Sequence, residues 1–122
     1  FFFLMTTKIT SAQLSLVDVS ISLTAVSSNQ YNGNCQLEIS DSLNCSKVGV
    51  ELSDATNDSI VFYREYEFDQ STGLPAGITW ARTGNNIVLG LGTLPWVVNW
   101  NARVRLKDAM GNPTPWSAFL FN

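Results

Sequence analysis

The 122-residue sequence contains no histidine. The side chain most used as a general base at neutral pH, and the commonest metal ligand, are therefore missing together. Charge is also scarce. Seven Lys plus Arg against ten Asp plus Glu make up 14% of the chain, with a net charge of −3. So few cations, scattered along the chain, do not form the basic stripe of a nucleic-acid binder, and no nucleic-acid partner is expected. Low charge combined with 45% hydrophobic residues excludes a disordered chain. It leaves a surface of Ser, Thr and Asn, or one covered by a partner. No apolar run reaches the length of a membrane-spanning helix, so membrane insertion is not expected. No segment holds a helical period of 3.6. Gly90-Leu91-Gly92 lacks the strand–turn–helix setting of a phosphate-binding loop. Two cysteines without histidine fall short of a zinc site. No catalytic, cofactor-binding or metal-ligating set is expected.

What is present is β-strand signal almost throughout. Over 100–108, Trp100, Ala102, Val104 and Leu106 hold one phase and Asn101, Arg103, Arg105 and Lys107 the other. This is the alternation of a half-buried strand. Asp108 to Pro113 supplies turn chemistry, with the Asp108 carboxylate placed to accept turn N–H groups, and 116–121 reads as the returning strand. Upstream, Leu14 and Leu16 hold one phase while Val17, Val19, Ile21, Leu23 and Ala25 hold the other. The flip demands a bulge, a bend or a new strand near Val17, read as strands over 9–16 and 17–27. Further strands are expected over 35–39, 43–52 and 60–69. Strands 78–83 and 87–91 flank a Gly84-Asn85-Asn86 hairpin, and 90–95 reads as a flexible corner. About seven to nine short strands with closely spaced turns predict an antiparallel β-sandwich. The size fits one domain over 9–122, preceded by an apolar arm over 1–8 that opens Phe1-Phe2-Phe3-Leu4-Met5.

The run Ala102-Arg103-Val104-Arg105-Leu106-Lys107-Asp108-Ala109-Met110-Gly111-Asn112, followed by Trp116-Ser117, resembles the end of a fibronectin type III or related bacterial and phage immunoglobulin-like module. Trp100 stands where those modules usually carry Tyr. The likeness covers about a fifth of the chain; it implies an immunoglobulin-like sandwich and is nearly silent on function.

Cys35 and Cys45 face each other if a hairpin is centred on Ser40. A cross-strand disulfide and two reduced, buried thiols both remain open. Glu65, Glu67 and Asp69 alternate on one strand and would share a face. Their spacing loosely resembles the catalytic strand of jelly-roll glucanases, but those enzymes are longer and need a cleft; a solvated strand face is the plainer reading. Clustered acids without a calcium-loop signature do not argue for a metal. Of the four tryptophans, Trp80 and Trp100 lie in phase with apolar neighbours and are expected in the core. Trp96, after Pro95, is the best candidate for exposure, and Trp116 is placed at the sandwich edge. The glycosylation pattern at Asn44 and Asn57 is what chance supplies in so polar a chain.

These features point to a non-enzymatic structural module that works through protein–protein contacts. The profile resembles phage virion components of the decoration, tail or fibre-associated class, which implies a virion location. The alternative is an extracellular adhesion or carbohydrate-binding module of a larger surface protein, with a glycan as partner. Expected contact residues are Phe1, Phe2, Phe3, Leu4, Trp96, Phe119 and Phe121, engaging further copies or neighbouring subunits. No cofactor is implied.

Overall fold

The computed structural model describes residues 13–120, so the expected arm over 1–8, and Phe121, lie outside the described residues. The strands are β1 (Leu16–Ser27), β2 (Gln30–Ile39), β3 (Cys45–Asp54), β4 (Ile60–Glu67), β5 (Ile78–Thr83), β6 (Asn86–Pro95) and β7 (Trp100–Asp108). They form two antiparallel sheets, ordered β1-β2-β6-β5 and β4-β3-β7. The expected all-β sandwich is what the chain forms. No helix among the described residues is long and apolar enough to cross a membrane.

The inward phases meet in one core. Cys35, Leu37 and Ile39 of β2 and Ile87, Leu89 and Leu91 of β6 pack with Val48, Val50 and Leu52 of β3 and Ala102, Val104 and Leu106 of β7. Each fully buried aliphatic side chain of this size contributes about 1.5–3 kcal/mol. Tyr66 of β4 is buried among them and donates its hydroxyl across the core to the Gly90 carbonyl at 2.7 Å. Burial pushes its phenol pKa up, so the donor stays protonated.

The phase flip near Val17 is a bulge. The β1–β2 register shifts between Leu16 and Asp18, and Val17 turns outward while Leu16 and Val19 both pack on the core. β1 begins at Leu16, one residue before the expected boundary, and residues 13–15 of the expected 9–16 strand are irregular; residues 9–12 lie outside the described residues.

The cysteine hairpin is corrected. β2 pairs with β1 and β6, whereas β3 pairs with β4 and β7, so Cys35 and Cys45 stand in different sheets and both are free. The connection between them is a crossover. Ser42–Asn44 forms a 3-10 turn capped by the Asp41 carboxylate. Asn85 ties it to the β5–β6 turn: its carbonyl accepts from Ile39 N–H and its Oδ1 from Ser42 N–H, both at 2.9 Å. Leu43, expected to open a strand, is 94% exposed there.

The expected corner at 90–95 is also corrected. It is the second half of β6, which runs to Pro95 opposite Gln30. Its glycines mark a register shift rather than a break. Gly92 sits at φ 75°, beside the shift between Gly33 and Asn34, a backbone setting that glycine reaches without steric cost. The 78–83 hairpin forms as expected, with Thr83 opposite Asn86 across Gly84-Asn85.

Candidate binding surface

Segment 113–120 borders β7, and it is not the regular returning strand expected. The N–H groups of Thr114, Ser117 and Leu120 donate to the carbonyls of Leu106, Val104 and Ala102 at 2.8, 2.8 and 2.7 Å. The hydroxyl oxygens of Thr114 and Ser117 accept in return from Leu106 N–H and Val104 N–H, each at 3.0 Å. Three residues of the segment therefore run alongside every two of β7. Pro113 and Pro115 have no N–H to give a ladder, and proline is confined to such edges and bulges. The surplus residues are pushed out of the plane: Pro115, Ala118 and Phe119 are exposed and Trp116 is half-buried. The same misfit explains why Phe119 is out of phase with the core. It occupies the second bulge, three residues after Trp116.

These bulges lie over the outer face of the three-stranded sheet, where four of the chain's seven cations gather. The Arg103 guanidinium lies 4.3 Å from the Trp116 ring centre and 5.6 Å from that of Phe119, and Arg105 lies 4.5 Å from Trp116. Trp116 is thus flanked by two guanidiniums, a placement favoured by the negative potential of the indole face. Arg103 also donates to Glu51 at 2.8 Å. Beyond it runs a chain of alternating charge: Lys47 reaches Glu67 at 3.1 Å and Glu65 at 3.6 Å, and Lys107 reaches Glu65 at 2.8 Å. The hydrogen bond from Lys107 is the main reason the Glu65 carboxyl titrates below its ordinary range; burial acts against it, and the charges of Lys107 and Lys47 add to it.

On its other side the segment walls a groove of about 500 Å³. The facing wall is the start of β1. Leu14, Leu16, Val17 and Val19 stand opposite Trp116, Ala118 and Leu120. The groove follows the open edge of the sandwich, where β1 ends one sheet and segment 113–120 borders the other. Its volume lies within the ~300–1,000 Å³ of pockets that take ligands, and its lining is largely aliphatic and aromatic.

The acids do not form a joint site. Glu65 and Glu67 share the outer face, but each is held by lysine. The alternation ends with β4, and Asp69, at φ 60°, turns to β5. There it takes a two-pronged contact from Arg82, with both N···O distances 2.7 Å, and a hydrogen bond from Trp80 Nε1 at 3.1 Å. The Arg82 guanidinium is the main cause of a lowered Asp69 pKa. Trp100 is buried as expected. Trp80, expected in the core, is half-buried, because it lies on the edge strand β5 and closes the rim edge-to-face on Phe68. Asp108 accepts from Met110 N–H and Asn112 N–H, each at 2.9 Å, the turn role expected of it. Burial pushes the Cys35 thiol up to about 12 and the Cys45 thiol to about 11. Of the expected contact residues that are described, Trp96 and Phe119 are each about half exposed, Trp96 in the β6–β7 connection and Phe119 over Arg103.

Sequence reasoning missed the period-3 segment and the Arg–Trp–Arg stack. The signals were Thr114, Ser117 and Leu120 at spacing three, the first of them between Pro113 and Pro115, and an outward Arg-x-Arg beside a tryptophan-bearing segment. No protein-family model matches the chain, and no curated protein sequence matches it.

Proposed function

We propose that the chain is an immunoglobulin-like, fibronectin III-like assembly module without enzymatic chemistry, acting by protein–protein contact as a decoration, tail or fibre-associated subunit of a phage virion. The observation that carries the assembly role is the irregular edge at 113–120. It presents Phe119 outward beside the half-buried Trp116 and borders a mainly apolar groove, a surface that a partner would bury. The sheet orders support the immunoglobulin-like part. If the strands and segment 113–120 are lettered A, B, C, C′, D, E, F and G in chain order, the sheets are A-B-E-D and C′-C-F-G, close to the strand distribution of that architecture. The virion part rests on the resemblance of the C-terminal hairpin and on the polar, charge-poor profile.

The assembly role is tested by sedimentation of the full chain over a concentration series. Self-association is expected, weakened in the double variant Trp116→Ser/Phe119→Ser. The location is tested by immunogold labelling of phage particles from the source culture, with label expected on the particles. A chain that stays monomeric at every concentration and is absent from particles retires the reading. Trp96 supports the adhesive alternative through its 51% exposure. Glycan-array binding lost in Trp96→Ala would favour that alternative.

A further inference from the structure

We infer that the groove between β1 and segment 113–120 is the receptor for residues 1–8 of a second copy of this chain. The inference rests on the assembly reading and names its partner. The groove is mainly apolar on both walls, with Ser15 and Asp18 among the β1-side residues and Thr114 and Ser117 on the other, and Gln13, where the described residues begin, also lines it. Twelve residues precede Gln13, and the first five are Phe1-Phe2-Phe3-Leu4-Met5. The chain therefore holds an apolar segment in need of cover and an apolar groove in need of an occupant, with the end of one at the mouth of the other.

Two arguments select a second copy over the same chain. An arm returning to its own groove must reverse direction just before Gln13. Thr6-Thr7-Lys8-Ile9-Thr10-Ser11-Ala12 has no Gly, Pro, Asn or Asp, the residues that make tight reversals; only Ser11 favours a turn. Its Thr and Ile residues favour an extended path instead. Reach agrees. Twelve extended residues span about 40 Å, well beyond the ~14 Å radius of gyration of a domain this size. An arm from one subunit seated in the groove of the next is a head-to-tail contact. Such contacts close into rings or run on as filaments, according to the rotation between subunits. The groove also lies along two sheet edges, where an entering extended segment can gain backbone hydrogen bonds as well as apolar contact.

The test uses two full-length variants, Phe3→Cys and Ala118→Cys, mixed and oxidised mildly. Ala118 is exposed on the groove wall, so the change leaves the core intact. The native thiols do not interfere, since both are buried with raised pKa values. A covalent heterodimer in the mixture, in excess of dimers in either variant alone, is expected. Adding Phe2→Asp to the arm variant is expected to cut its yield at least about tenfold, because the groove would bury an unpaired carboxylate. The doubly substituted chain Phe3→Cys/Ala118→Cys should form a ladder of covalent oligomers. If it forms only an internally linked monomer, the arm folds back on its own subunit and the inference is overturned. If no link forms while sedimentation still shows self-association, the arm inference fails and the assembly reading stands. If neither link nor association is seen, both fail.

Discussion

On the outer face of the four-stranded sheet, Ser20, Ser22 and Thr24 of β1 stand beside Gln36, Asn34 and Asn32 of β2, and the row continues into Val88 and Asn86 of β6. The charges in those rows are Asp18 and Glu38, directly opposite each other. On the outer face of the three-stranded sheet, Lys47, Arg103, Arg105 and Lys107 interleave with Glu51, Glu65 and Glu67, and aromatic rings cover the guanidiniums. Both faces come from the same period-2 alternation. They differ in how their edges are held. β1 is joined to β2 by a nearly continuous ladder, so its outward side chains bear no share of the pairing. Segment 113–120 meets β7 only at every third residue, and side chains make up the rest: two hydroxyls, and the Arg–Trp–Arg stack above them. Charge and aromatic area are concentrated where backbone pairing is incomplete.

The largest expected break in this comparison uses one glycine from each face. A Cβ at Gly90 would lie 2.3 Å from Thr79 Oγ1 and 3.0 Å from the Gly77 carbonyl, whereas a Cβ at Gly49 meets nothing closer than 3.8 Å. Gly90→Ala is expected to cost about 1–3 kcal/mol, the usual penalty of forced overpacking. Gly49→Ala is expected to be neutral or to stabilise by up to about 1 kcal/mol, since it removes strand glycine where a Cβ meets only ordinary van der Waals contacts. Urea unfolding of the two variants checks the pair, and equal losses would refute the difference in packing. Next in size is Arg103→Ala. It removes a ring contact and leaves Glu51, whose side chain is only 13% exposed, without its guanidinium. A loss of about 1–2 kcal/mol is expected, with a red shift in tryptophan emission as Trp116 gains water. Gln36→Ala on the other face should stay within about 0.5 kcal/mol.

Periodicity made the core faces of β7 and β6 legible, because a two-residue period leaves only one way to bury Val104, Leu106, Ile87 and Leu89. It also marked the irregularity at Val17, but read it as a boundary between two strands where the chain forms a bulge. It could not assign partners. Residues 35–39 and 43–52 look like a hairpin locally; what separates them is Asn85, more than forty residues on, gripping the crossover from another turn. It failed outright over 113–120, where the period is three and is set by the strand alongside. Of the candidate surface, only Phe119 was among the expected contact residues; Trp96, rightly expected to be exposed, lies in the β6–β7 connection. The groove was not legible, since it exists only between segments a hundred residues apart.

The finest test asks the same substitution to act with opposite sign on the two faces. Glu65 has a lowered carboxyl pKa, chiefly from the Lys107 hydrogen bond. A folded-state pKa below the unfolded value stabilises the fold at pH values above the unfolded pKa, and that contribution disappears as pH falls through the folded value. Glu65→Gln should therefore destabilise at pH 7 and flatten the loss of stability on acidification below the ordinary glutamate value of 4.5. Glu38 faces Asp18 across the β1–β2 ladder, and like charges in that position repel. Glu38→Gln should stabilise at pH 7 by about 0.2–1 kcal/mol. Thermal melts at pH 7 and pH 3 read both. If Glu38→Gln lowers the melting temperature at pH 7, the carboxylate pair on the neutral face is held by a cation after all, and the contrast between the faces fails.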